Sequence, residues 1–214
     1  MLSTFLHLIR HAATEANLAQ PPRLQGRCHD PPLASLGVRQ AETTRDDLSE
    51  HPLHRCYCSP MRRAVQTAAI LAAPHRLIPQ PIDALIECDV GHWEGRTWDD
   101  IRHNDPEAYA HFLAHPGTCP YPGGECLQDV NQRVAPALEE LLRRHAGQHI
   151  LVVTHQVVLR AYLAPLLGLT LDQARQVIIP NAGGYLVIRQ DPFTTVRSLA
   201  AEEPPTAQVS GILP

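Results

Sequence analysis

Gln148-His149-Ile150-Leu151-Val152-Val153-Thr154-His155 carries four consecutive apolar residues and then turns polar at its last two positions. An unbroken apolar run of this length, without alternation, suits a strand covered on both faces, as in parallel sheets lying between helices. A second run, Phe5-Leu6-His7-Leu8-Ile9-Arg10-His11, has the same character and the same polar ending. Shorter strand candidates cover residues 55–59, 85–87, 177–179 and 184–188. Helical spacing is predicted over 34–48, 61–73, 125–145 and 157–167, with Pro60 placed where a helix can start. Strands alternating with helices predict an α/β fold, a three-layer α/β/α sandwich around a mixed, mainly parallel sheet.

The connections are uneven. Residues 18–34 read as a loop rich in Pro, Gln, Gly and Asp. Residues 88–124 read as irregular, with helical patches near Trp98 and Glu107. A connection that long is commonly a lid or binding loop. The expectation is one domain over residues 1–200, with a cap or lid at about 88–124 and a loose tail at 201–214.

Composition removes several functions. The chain has 214 residues and a formal charge of −4, from 18 basic and 22 acidic side chains. That charge suits neither a general nucleic-acid binder nor a polybasic membrane surface. No lysine occurs, so every basic residue is arginine. A P-loop needs its lysine on the phosphates and a pyridoxal enzyme needs a Schiff-base lysine, so both are excluded. No apolar stretch approaches the ~20 residues of a membrane span. The six cysteines contain no C-x-x-C pair, and the short run at residues 5–9 is not a secretory leader. Free thiols in a cytoplasmic protein are expected.

The chemistry lies where the apolar runs stop. One ends in Arg10-His11, one at Ser59 just before Arg62 and Arg63, and one in Thr154-His155; Glu87 ends a fourth candidate. In open α/β sheets ligands sit beyond the carboxyl ends of the strands. Parallel neighbours would therefore gather two histidines, several arginines and a carboxylate. Arginine forks hold a phosphate dianion, and a neutral histidine nitrogen can attack phosphorus. A second histidine can steady the transferring oxygens, and a carboxylic acid can protonate the leaving oxygen.

Five blocks carry a family resemblance. Leu8-Ile9-Arg10-His11-Ala12-Ala13-Thr14-Glu15-Ala16-Asn17 resembles the L-x-R-H-G-E-T-x-x-N signature of the histidine phosphatase superfamily, the phosphoglycerate-mutase-like group. Ser59-Pro60-Met61-Arg62-Arg63-Ala64-Val65-Gln66-Thr67-Ala68 resembles S-P-x-x-R-A-x-Q-T-A, and residues 85–95 resemble L-x-E-x-x-x-G-x-W-E-G. Pro122-Gly123-Gly124-Glu125 and Val152-Val153-Thr154-His155 resemble P-G-G-E and V-V-S-H. The blocks stand in the family's order.

The resemblance implies a metal-independent, cofactor-free phosphomonoester hydrolase acting on a small-molecule phosphate ester. His11 would be the nucleophile that becomes phosphohistidine. Arg10, Arg63 and His155 would complete the phosphate pocket, and Glu87 would be the general acid and later the base. Asn17, Gln25, Gly26 and Gln156 would line the substrate site. Asp89 competes with Glu87 for the acid, and Arg62 reads as a surface residue. The run from the Q-G loop onward resembles the α-ribazole phosphatase branch and also the broad-specificity phosphatases. A phosphomutase and a non-catalytic phosphate-binding module are the alternatives. The compact stretch from Glu87 to His155 favours water as acceptor over a mutase, and retention of nucleophile and acid disfavours an inert module. The chain is expected to be a monomer or homodimer.

Departures from the signature fall at Ala12, Ala13, Gln156 and Cys126. Ala12 is tolerated only where φ is negative. His103, His111 and His115 lack an accompanying metal motif. Glu125 reads as the first residue of a helix, where a carboxylate meets the positive dipole end.

Overall fold

The computed structural model describes residues 2–199. The strands are β1 Thr4–Arg10, β2 Leu53–Cys58, β3 Gln80–Pro81, β4 His149–Thr154, β5 Gly184–Gln190 and β6 Phe193–Ser198. The helices are α1 Glu15–Leu18, α2 Ser35–Leu48, α3 Arg62–Ala72, α4 Trp98–Asn104, α5 Pro106–Ala114, α6 Leu127–Arg144 and α7 Gln156–Leu166. They build one six-stranded sheet in the order β3-β2-β4-β1-β5-β6. The β1–β4, β4–β2 and β2–β3 pairs are parallel, whereas β5 is antiparallel to both β1 and β6.

The continuous apolar runs form the sheet centre, as their lack of alternation requires. Leu6, Leu8, Ile150 and Val152 pack with Leu138 of α6 and with Leu159 and Leu163 of α7 on one face. Ile9, Leu151, Val153 and Cys56 pack with Ala64, Ala68 and Leu71 of α3 on the other. The three layers expected from the alternation of elements are present. Trp93, Phe112 and Tyr121, within residues 88–124, meet edge-on or tilted at ring separations of 4.5–5.8 Å and continue the first cluster.

Several local expectations are corrected. Residues 85–87 are not a strand. Asp83–Leu85 is a 3-10 turn, and the neighbouring strand is the two-residue β3, whose Pro81 has no N–H to extend a ladder. Residues 177–179 are also not a strand. The Val177 and Ile179 carbonyls accept instead from Arg160 and Arg10 side chains. β6 was missed; its signal was an Asp191-Pro192 turn between two strand-forming runs. α6 starts at Leu127, after Glu125, because Asp129 accepts the Cys126 N–H at 2.9 Å and caps the helix there. The tail expected at 201–214 lies outside the described residues.

All six cysteines are free thiols: Cys56, Cys58, Cys88 and Cys126 are buried, Cys119 is half-buried and Cys28 exposed. Among the described residues no helix is long and apolar enough to cross a membrane.

Candidate active site

Register places the site. Arg10 pairs with Thr154 and Cys58 with Val153, so the three central strands end level. The His11 N–H donates to the Thr154 carbonyl at 2.8 Å and the Ser59 N–H to the Val153 carbonyl at 2.9 Å. His11, Ser59 and His155 therefore leave the sheet along one edge, and the His11 and His155 ring centroids are 5.2 Å apart.

His11 is buried, and its Nδ1 lies 2.8 Å from the Ala12 carbonyl. A carbonyl can only accept, so Nδ1 carries the proton and Nε2 keeps its lone pair. Burial, reinforced by the Arg10 and Arg63 charges, holds this imidazole well below the usual histidine range. The peptide after it is fixed by the Ala12 N–H donating to Thr67 Oγ1 at 3.0 Å, and Asn181 Nδ2 donates to the His11 carbonyl at 3.0 Å. Ala12 is not strained: among described non-glycine residues only Arg76 and Ala182 have positive φ. The Ala13 N–H finds a polar partner in Gln40 Oε1 at 3.1 Å.

His155 is tied to Ser59: Ser59 Oγ accepts the Met61 N–H at 3.3 Å and lies 2.7 Å from His155 Nε2. The other ring nitrogen, Nδ1, is buried without a partner. Burial, ahead of the charges of Arg63, His11 and Arg10, keeps this ring neutral.

Arg10 donates through one NH2 group to the Ile179 carbonyl at 2.9 Å and leaves Nε without a partner. Burial brings its pKa down to about 10. Arg63 is fully buried; its guanidinium donates to the carbonyls of Gly26 (2.9 Å) and His29 (3.2 Å) and lies 3.5 Å from Asp30. Its Nε is also unpartnered. Gly26 thus holds an arginine, and its own N–H is taken by Glu94 at 3.1 Å. A Cβ at Gly26 would lie 2.7 Å from Val90 Cγ2, which explains the glycine. Arg62 is exposed, as expected.

Glu87 is buried, and its Oε1 accepts the Cys88 N–H at 2.8 Å. Burial raises its carboxyl pKa, against the opposing pull of that N–H and of Arg63, Arg10 and Arg133. Because Glu87 does not sit on a strand, something else must hold it. Arg133 of α6 donates to the carbonyls of Ala84 (2.7 Å), Ile86 (2.8 Å) and Glu87 (3.3 Å), and pairs with Glu125 at 3.0 Å. Glu125 also accepts the Asp89 N–H at 2.8 Å, so its partners are Arg133 and a turn rather than its own helix end. Asp89 itself caps Gly91 and pairs with Arg27, so of these two it is Glu87 that lines the cavity; Asp99, the other acid on its wall, pairs with Arg102. Sequence reading missed Arg133: one arginine in mid-helix carries no local signal.

A cavity of about 510 Å³ lies above this edge, lined by Arg10, His11, Asn17, Gln25, Glu87 and Gln156, with Arg23, Arg160 and Arg175 around it. Arg63 and His155 do not line it. Asn17 Oδ1 accepts the Thr14 N–H at 3.0 Å and Gln25 Oε1 lies 2.9 Å from Thr14 Oγ1, leaving the buried Gln25 Nε2 without a partner. Gln156 opens α7, and its Nε2 lies 3.4 Å from the Ile179 carbonyl. Trp98 and Tyr121 bring residues 88–124 to the wall, and the Arg175 guanidinium lies 5.4 Å from the Trp98 ring centroid. His103, His111 and His115 take no part; His111 and His115 stand together on exposed positions of the α5 end.

The sequence model of the histidine phosphatase superfamily (branch 1) matches residues 6–201. Phosphoserine phosphatase 1 of Hydrogenobacter thermophilus is 35% identical over 186 residues, covering 87% of this chain and 86% of that protein. The adenosylcobalamin/α-ribazole phosphatase of Salmonella typhimurium is 33% identical over 166 residues, covering 76% and 79%. The Entamoeba histolytica phosphoserine phosphatase, solved in complex with 3-phosphoglyceric acid, superposes with a TM-score of 0.83 at 25% identity over 93% of this chain and 98% of that one. The level strand ends, the paired histidines and these matches lead to one statement: the chain belongs to the histidine phosphatase superfamily, branch 1.

Proposed function

We propose that this protein is a metal-independent phosphomonoester hydrolase working through a phosphohistidine at His11. One observation carries the reading. His11, buried and neutral with a lone pair on Nε2, lines one cavity with Arg10 and Gln25, whose Nε and Nε2 donors have no partner, and buried donors ordinarily have acceptors. Phosphoryl oxygens supply those acceptors. His11 Nε2 attacks phosphorus as the P–O ester bond breaks, and the leaving oxygen takes the proton of Glu87. The Glu87 carboxylate then removes a proton from water, the resulting oxygen attacks phosphorus, and the P–N bond breaks to restore His11. In this reading residues 2–199 act as one unit, with 88–124 as its cap.

Arg160, Arg175 and Arg23 extend the positive lining beyond the phosphate position. Arg160 has its pKa lowered by burial and by Arg175, a like-charge neighbour that an anion would relieve. We assign the substrate as a small phosphomonoester with a second anionic group, a carboxylate near the ester as in phosphoserine. The α-ribazole phosphate reading needs an aromatic face for its base, and Arg175 already covers a face of Trp98.

The test is phosphate release in excess EDTA from phosphoserine, 3-phosphoglycerate, α-ribazole phosphate, sugar phosphates and p-nitrophenyl phosphate, with His11→Ala alongside. Carboxylated esters should rank first, and an Arg160→Met/Arg175→Met variant should raise their KM at least ~10-fold while sparing p-nitrophenyl phosphate. Turnover that survives His11→Ala refutes the mechanism, and transfer to a second phosphoglycerate without net release refutes hydrolysis.

A further inference from the structure

The amino ends of the same strands hold a second concentration of histidine. Among the described residues, His7, His51 and His149 are the one group of three or more metal-ligating side chains whose ligand atoms all lie within 4.8 Å of one another. His7 sits on β1, His149 opens β4, and His51 lies in the connection from α2 to β2. His7 stands four residues before His11, roughly 13 Å along an extended strand.

Packing does not account for the group. His7 is wholly buried, lies 3.1 Å from His149 Nδ1 through its Nε2, and leaves Nδ1 without a partner. Two neutral imidazoles therefore share one proton at a separation close to the roughly 3.3 Å between nitrogens bound tetrahedrally to zinc at 2.0–2.1 Å. The His51 ring lies 5.0 Å from that of His7 and is half-buried, with its ligand atom already in the group. His149 is fixed by stacking on Phe5 at 4.1 Å and by its N–H donating to His54 Nδ1 at 3.1 Å. Burial and mutual repulsion hold His7 down to about 3 and His149 below its ordinary value, so their lone pairs are free at neutral pH.

We propose that His7, His51 and His149 form a structural binding site for a divalent d-block cation of the Zn²⁺ class. All-imidazole ligation selects such ions over Mg²⁺ and Ca²⁺. A water completes four-coordination. The ion would tie β1, β4 and the entry to β2 together, remote from the phosphate pocket. It acts on stability and leaves turnover alone.

The test uses untagged full-length protein, stripped with chelator, dialysed and titrated with ZnCl₂ at pH 7.5 by calorimetry and native mass spectrometry. One equivalent should bind, MgCl₂ should not, and free Zn²⁺ at 100-fold over Kd should raise Tm by roughly 5–10 °C. His51→Gln and His149→Gln should each abolish the bound equivalent and the Tm rise while leaving phosphate release as in the parent. A His111→Gln/His115→Gln variant, removing the exposed pair on α5, should keep both. No bound equivalent, or one that persists in His51→Gln and His149→Gln, overturns the site.

Discussion

Arg133→Met isolates what holds the candidate acid in place. The guanidinium donates to the carbonyls of Ala84, Ile86 and Glu87 at 2.7, 2.8 and 3.3 Å and pairs with Glu125 at 3.0 Å. Methionine keeps the stem and removes all of these. Three carbonyls lose a donor, at about 1 kcal/mol each where water reaches in part. The ion pair is about one-fifth exposed on each side, 21% and 18%, so its loss falls below the fully buried range. The sum is about 3–5 kcal/mol, or a Tm lower by roughly 6–20 °C at 2–4 °C per kcal/mol for a domain of this size. Catalysis should fail selectively. A 1 Å displacement of Glu87 costs about 10²-fold where its proton is needed, so kcat/KM on phosphoserine should drop about 100-fold. kcat/KM on p-nitrophenyl phosphate, whose leaving group needs no proton, should fall no more than about 5-fold. Arg133→Lys should recover part of the Tm through Glu125 without recovering the selectivity, because an ammonium cannot fork to three carbonyls. Equal losses of kcat/KM on both esters, or a lower Tm with unchanged kcat/KM on phosphoserine, would refute the positioning role.

Four further outcomes follow from the buried titratable groups. Glu87→Gln preserves the acceptor for the Cys88 N–H and removes the proton; kcat/KM, which reports only the step that expels the leaving group, should fall ~10²–10⁴-fold on alkyl esters and far less on aryl esters. Because burial raises the Glu87 pKa, the acid form persists to higher pH, and kcat/KM on alkyl esters should decline as pH rises through that value; a decline unchanged in Glu87→Gln contradicts the assignment. The lowered His11 pKa puts the opposite limb well below pH 6.5, so a loss of kcat/KM already centred at 6.5 would show an ordinary histidine instead. Stability should respond to acid as well: His7 titrates near 6.5 when unfolded and at about 3 when folded, so its contribution is complete above pH 6.5 and is lost between those values. The slope is about 1.4 kcal/mol per pH unit for each such histidine, and urea midpoints identical at pH 6.5 and 5 would count against it.

Much of the fold was legible because its signals are local. The apolar runs ending at Arg10 and Thr154 could only be strands covered on both faces, and they pair directly, residue for residue. The helices at 34–48, 61–73 and 157–167 came within a residue or so of their ends. Reading failed where a side chain replaced a ladder. Residues 85–87 and 177–179 look like strands, yet their carbonyls, or those beside them, accept from Arg133, Arg160 and Arg10. Apolar content alone cannot distinguish a backbone partner from a guanidinium.

Residue type and spacing alone determined the chemistry on offer: no lysine, histidines and arginines at strand ends, carboxylates in the stretch 85–95, and a resemblance that arranged them. Only the tertiary structure decided the state of each group. Ser59 meets His155 Nε2 from 96 positions away, Arg133 holds the Glu87 turn from 46 away, and His7 meets His149 across 142. Periodicity and propensity act over a few residues, so they specify elements. Proton positions, pKa shifts and ligand clusters depend on which atoms packing brings within about 3 Å and removes from water, and that is settled only when the sheet closes its register.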